Sequence, residues 1–195
     1  MRNFSMRTFL IHLAIGLVCG VLNTVLHILV VKYSIPLFLD TILTAAASFI
    51  SCTSGVVAAV SYHLIVLDKT NLSDLAFVLC SLTVVLGIRF ALRKQPEENA
   101  ILCLIISVIL AIIISFEGGI IFTIIFTHFQ YKESIRTSYA SFVFLKSQIP
   151  LLVSSILARI PANTLDKILS VFAGWFISKG FRICLKKAKL QPEQI

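Results

Sequence analysis

The sequence predicts an all-α integral membrane protein with six transmembrane helices and both termini on the cytoplasmic side. Three observations lead there. The 195 residues are 58% hydrophobic and only 13% charged, with a mean hydropathy of +0.98, where a soluble domain carries about 25% charged residues. Several apolar runs reach the roughly 20 residues that cross a bilayer. The basic residues, 17 Lys and Arg against 9 Asp and Glu, gather at the ends of those runs. Basic residues at span ends set topology, so the positive balance speaks for a membrane and against nucleic acid. One membrane domain over residues 1–195 accounts for the whole chain.

The first span, about residues 9–31, follows Arg2 and Arg7 and is too long for the apolar core of a signal peptide, so it is expected to be retained. The second, about 36–51, opens on Pro36-Leu37-Phe38-Leu39-Asp40-Thr41. Asp40 then falls in a first turn, where the helix dipole favours an acid. Ser51-Cys52-Thr53-Ser54-Gly55 turns the chain into a short third span, about 55–67. The fourth covers about 72–91. The fifth covers about 100–129 and is expected to break at Glu117-Gly118-Gly119, where two glycines open the backbone. Residues 130–147 are more polar and fit the membrane interface. The sixth span, about 161–180, follows a helix over 149–158, with Pro161 in its first turn.

Six spans with the N-terminus inside place Arg2, Arg7, Arg89, Arg93, Lys94, Lys179, Arg182, Lys186, Lys187 and Lys189 in the cytoplasm. They leave Lys32, Lys69, Lys132, Arg136 and Lys146 outside. Ten against five agrees with the positive-inside rule, and five spans would reverse it.

In this orientation the polar intramembrane residues collect in the outer half. Ionisable groups there are costly and face a partner, a cavity or a substrate. Arg159, Asn163, Lys167 and Ser170 recur every three or four residues and share one helical face. Asp166, one step away, is placed to pair with Lys167 or Arg159. Together with Asp40 and Glu117 these residues form the candidate substrate site, an outward-facing pocket rather than a through-pore. The competing reading is an internal brace between helices. Asn23 and His27 share a face of the first span and suit interhelical hydrogen bonds. Gly16 and Gly20 form a small-xxx-small pair that lets helices approach closely, within the chain or on another membrane subunit. The five cysteines and four histidines show no metal-ligand or redox spacing. No Ser/His/Asp set, zinc helix motif or phosphate loop is present, so the expectation is a non-enzyme without cofactor or metal.

Two segments carry a resemblance. Leu37-Phe38-Leu39-Asp40-Thr41-Ile42-Leu43-Thr44, followed by small residues and Gly55, resembles the start found in many substrate-binding S components of energy-coupling factor (ECF) transporters. Ile160-Pro161-Ala162-Asn163-Thr164-Leu165-Asp166-Lys167-Ile168-Leu169-Ser170 resembles their last-helix motif. The family often has Gly where Leu43 and Ser54 stand here. The same pattern occurs in related membrane sensor domains of bacterial kinases. The resemblance implies a six-helix subunit in the bacterial cell membrane that captures a vitamin-like micronutrient from outside. It implies docking on an ECF T subunit and ATPase subunits through the first three helices, with Gly16 and Gly20 as candidates. It places the pocket on the last three, with Glu117, Arg159, Asn163 and Lys167. The alternative it carries is a sensor or regulatory subunit that does not transport.

Overall fold

A computed structural model describes residues 6–33, 35, 37–67, 72–95, 98–129 and 148–187. These form α1 (Met6–Lys32), α2 (Ile42–Ile50), α3 (Cys52–Val66), a 3-10 segment (Leu72–Phe77), α4 (Val78–Lys94), α5 (Ala100–Phe129) and α6 (Leu151–Lys187), with no strand among the described residues. Apolar runs take this form because a helix satisfies its own backbone where no water can. Four helices, α1, α4, α5 and α6, are long and apolar enough to cross a membrane, and α3 is a shorter apolar helix. These helices mark a multi-pass membrane protein.

The second span expected over residues 36–51 contracts to α2. Nine residues rise only about 14 Å at 1.5 Å each, about half of a roughly 30 Å hydrocarbon core. Residues 37–41 instead run without helical structure to Thr41, the residue before α2. Asp40 is therefore outside the helix and not in its first turn. Two further expectations are corrected. The helix α5 runs unbroken through Glu117-Gly118-Gly119, and α6 is one helix of 37 residues with Pro161 inside it rather than two helices. Residues 130–147, expected at the interface, lie outside the described residues.

The short α2 sits at the centre, packed on α1, α3, α4 and α6, while α5 lies along α6. Seven of its nine residues are buried. Both of its ends are held by side chains from longer helices. At the N-terminal end, Asn23 Oδ1 accepts from the Leu43 N–H at 3.0 Å and Asn23 Nδ2 donates to Thr44 Oγ1 at 2.9 Å. At the C-terminal end, Arg182 donates to the Phe49 carbonyl at 2.6 Å and to Glu98, and Arg89 donates to the Ser48 carbonyl at 3.4 Å. A half-length helix leaves its terminal N–H and C=O groups at membrane depth, and these contacts supply partners there.

The pair Gly16 and Gly20 is used within the chain. A Cβ on Gly16 would lie 2.6 Å from Val57 Cβ and 2.7 Å from the Ser54 carbonyl, and one on Gly20 would collide with Ser61 Oγ. The rising register, Gly16 at Ser54 and Val57 and Gly20 at Ala58 and Ser61, shows that α1 and α3 run parallel. Both glycines are buried, with Ser54, Val57, Ala58 and Ser61 of α3 against them.

Candidate functional site

The polar face expected on α6 exists and points inward. Arg159, Asn163, Asp166 and Lys167 are 5%, 4%, 0% and 3% exposed, and Ser170 is fully buried. Buried charges at this depth require partners, and the sequence supplies them from the approach to α2, from α5 and from α6 itself. Asp166 Oδ2 binds Lys167 Nζ at 2.7 Å, and Asp166 Oδ1 accepts from the Leu39 N–H at 2.7 Å. Lys167 also donates to Thr41 Oγ1 at 2.9 Å, and Thr41 donates on to Ser170 Oγ at 3.2 Å. This set ties α6 to the non-helical approach of α2. It also holds Leu39 at φ +50°, a left-handed conformation that is uncommon for a leucine.

Higher on the same face, Asn163 Nδ2 donates to Ser115 Oγ of α5 at 3.0 Å. Arg159 donates to the Ser155 carbonyl at 3.1 Å, and its guanidinium carbon lies 4.8 Å above the Phe122 ring centroid. The two glycines read as a helix break serve here as a notch. A Cβ on Gly118 would lie 3.5 Å from Arg159 Cδ and Nε, and one on Gly119 would lie 2.5 Å from Ile156 Cγ1. Ser155 Oγ donates to the Gly119 carbonyl at 3.2 Å across the same contact.

The remaining two candidate acids differ from each other. Asp40 Oδ2 accepts from Tyr62 Oη at 3.0 Å, and Tyr62 Oη stands 3.1 Å from His27 Nδ1. A hydroxyl has one proton, so with Asp40 ionised the Tyr62 proton goes to the carboxylate and His27 Nδ1–H donates to the phenol oxygen. Asp40 is thus anchored by α1 and α3. Glu117 occupies the inward face of α5, in line with the buried Leu110, Ile114 and Ile121. Its Oε2 is buried and receives no hydrogen bond.

Cys80 lies at the start of α4, and its Sγ is 3.9 Å from where a Cβ on Gly118 would stand. Glu117, Lys167, Asp40 and Arg159 all act on its thiol electrostatically, and Asp40 and Asp166 both act on Lys167. Five of the six candidate site residues are thus linked electrostatically across the approach to α2, α4, α5 and α6, and Asn163 joins them through its hydrogen bond to Ser115 on the same helix as Glu117. Cys80, Thr41, Tyr62 and Ser115 complete this neighbourhood. Cys80 and Ser115 were not legible as site residues, because an isolated Cys or Ser in an apolar run has no spacing signature. Among the described residues no group of His, Cys, Asp and Glu is placed to hold a metal ion. No family model, no curated protein and no solved structure matches this chain.

Proposed function

We propose that this protein captures a small polar solute in the membrane, as the substrate-binding subunit of an ECF-type importer, with both termini in the cytoplasm. The observation that carries the proposal is the polar neighbourhood around Cys80, in which one carboxylate oxygen of Glu117 has no donor. A chain that only spans a bilayer has no use for such a cluster, and unmatched ionisable groups at membrane depth mark ligand sites by default. The segments resembling ECF S components, residues 37–44 and 160–170, supply Asp40, Asn163, Asp166 and Lys167 to this neighbourhood. The proposal extends to six membrane elements, with α2 and α3 as the two short ones.

Within the cluster the roles divide. Asp166 and Lys167 are ion-paired to each other and tied to the approach to α2, so they brace the site rather than contact the solute. Asn163, Arg159, Glu117 and Asp40 line it. No step of catalysis is assigned to any of them. One observation favours a second reading, a sensor or structural subunit: the Asp166–Lys167–Thr41–Ser170 set is the kind of internal brace such a subunit needs.

Native mass spectrometry of the full chain purified in mild detergent tests the proposal. The expected result is a co-purifying small molecule that is lost in Asn163→Leu while the variant still unfolds cooperatively. A chain that retains no small molecule but holds another polypeptide supports the sensor or structural reading instead.

A further inference from the structure

Resting on the capture reading above, the geometry points to a solute that presents a protonated nitrogen, an amine or amidine, to the Glu117 carboxylate between α5 and the start of α4. Among the acidic side chains described, Asp40 receives Tyr62, Glu98 receives Arg182, and Asp166 receives Lys167 and the Leu39 N–H. Glu117 alone has a buried oxygen without a donor. It lies on the inward face of its helix, not on the face turned to lipid. An ionised carboxylate in this setting needs a donor of opposite charge. Charge balance asks for the same thing. Asp40, Asp166 and Glu117 stand against Arg159 and Lys167, so the described cluster carries one excess negative charge. A monocation neutralises it, and an anionic solute doubles the imbalance. A planar amidinium adds two parallel N–H groups, which match the two oxygens of a carboxylate.

The competing account is that Glu117 keeps its own proton and contacts no ligand. Three matched probes separate these cases: benzamidine, benzamide and benzoate, which share a ring and differ in charge. Each is titrated into the purified full chain while thermal unfolding is followed, since a ligand bound only to the folded state raises the midpoint. The expected result is stabilisation by benzamidine over both other probes, weakened roughly ten- to a hundredfold in affinity by Glu117→Gln. Glu117→Asp, which keeps the charge, retains part of the effect. The inference is overturned if benzoate or benzamide stabilises as well as benzamidine, or if Glu117→Gln leaves benzamidine binding unchanged. A co-purified solute lacking a protonable nitrogen overturns the cation assignment and leaves capture standing. A wild-type chain that holds no solute and responds to none of the three probes overturns both.

Discussion

At the scale of single residues, the Asp166–Lys167 pair shows how a membrane protein tolerates charge where charge is expensive. The pair lies wholly inside the protein, and it makes further hydrogen bonds to Leu39 N–H and Thr41 Oγ1. Removing one member of a buried pair leaves an uncompensated ion and costs about 3–5 kcal/mol, whereas neutralising both costs far less. Lys167→Met is therefore expected to be strongly destabilising. The double variant Asp166→Asn, Lys167→Met is expected to unfold at higher temperature than Lys167→Met alone, because the introduced amide keeps an oxygen that can still accept from the Leu39 N–H. Thermal unfolding of the singles and the double in one detergent gives the cycle. A double variant less stable than Lys167→Met would show that the two residues do not act as a pair. The periodicity of α6 made this face legible beforehand, as did the adjacency of Asp166 and Lys167. The main-chain partner was not legible, because nothing in the side chain of Leu39 announces that its N–H points at a carboxylate 127 positions away.

At the scale of elements, hydropathy located α1, α4, α5 and much of α6 but misjudged two features for one physical reason. Hydropathy measures the preference of side chains for an apolar setting and is blind to backbone conformation. Residues 37–41 are apolar enough to join a span, yet they are not helical, and the backbone of Leu39 is stabilised by Asp166. Gly118-Gly119 reads as a break, yet the glycines occur where Arg159 and Ile156 of α6 pack against α5, and the helix continues through them. The Gly16/Gly20 pair illustrates the same ambiguity, since a small-residue stripe reports close approach without naming what approaches. Here α3 fills it. Gly16→Leu is accordingly expected to lower the melting temperature of the isolated chain. Its side chain must displace Val57 and the Ser54 carbonyl, and overpacking of this kind costs typically about 1–3 kcal/mol. If the isolated chain melts unchanged and only its assembly with other subunits suffers, the glycines face a partner after all.

At the scale of the whole molecule, packing turns the scattered basic residues into a one-sided distribution. Arg182 reaches Phe49 and Glu98, and Arg89 reaches Ser48, so the C-terminal ends of α2, α4 and α6 and the approach to α5 meet at one end. The parallel register of α1 and α3 brings the start of α1 to that end too. Arg7, Arg89, Arg93, Lys94, Lys179, Arg182 and Lys186 thus cluster at one end, while Lys32 lies at the other. In the proposed orientation, with the basic end in the cytoplasm by the positive-inside rule, the neighbourhood of Glu117 and Asp40 turns toward the outside. Two exposed positions read out this orientation: Tyr33, just past the end of α1, and Cys184, in the last turns of α6. With Cys19, Cys52, Cys80 and Cys103 replaced by Ala, a membrane-impermeant maleimide applied to intact cells is expected to label Tyr33→Cys in a Cys184→Ala background. The chain retaining Cys184 alone should react only after the membrane is permeabilised. Labelling of Cys184 in intact cells would turn the molecule over and put the Glu117 site on the cytoplasmic side. Import from outside would then be excluded as its role, because the orphan carboxylate would meet only solutes already in the cell.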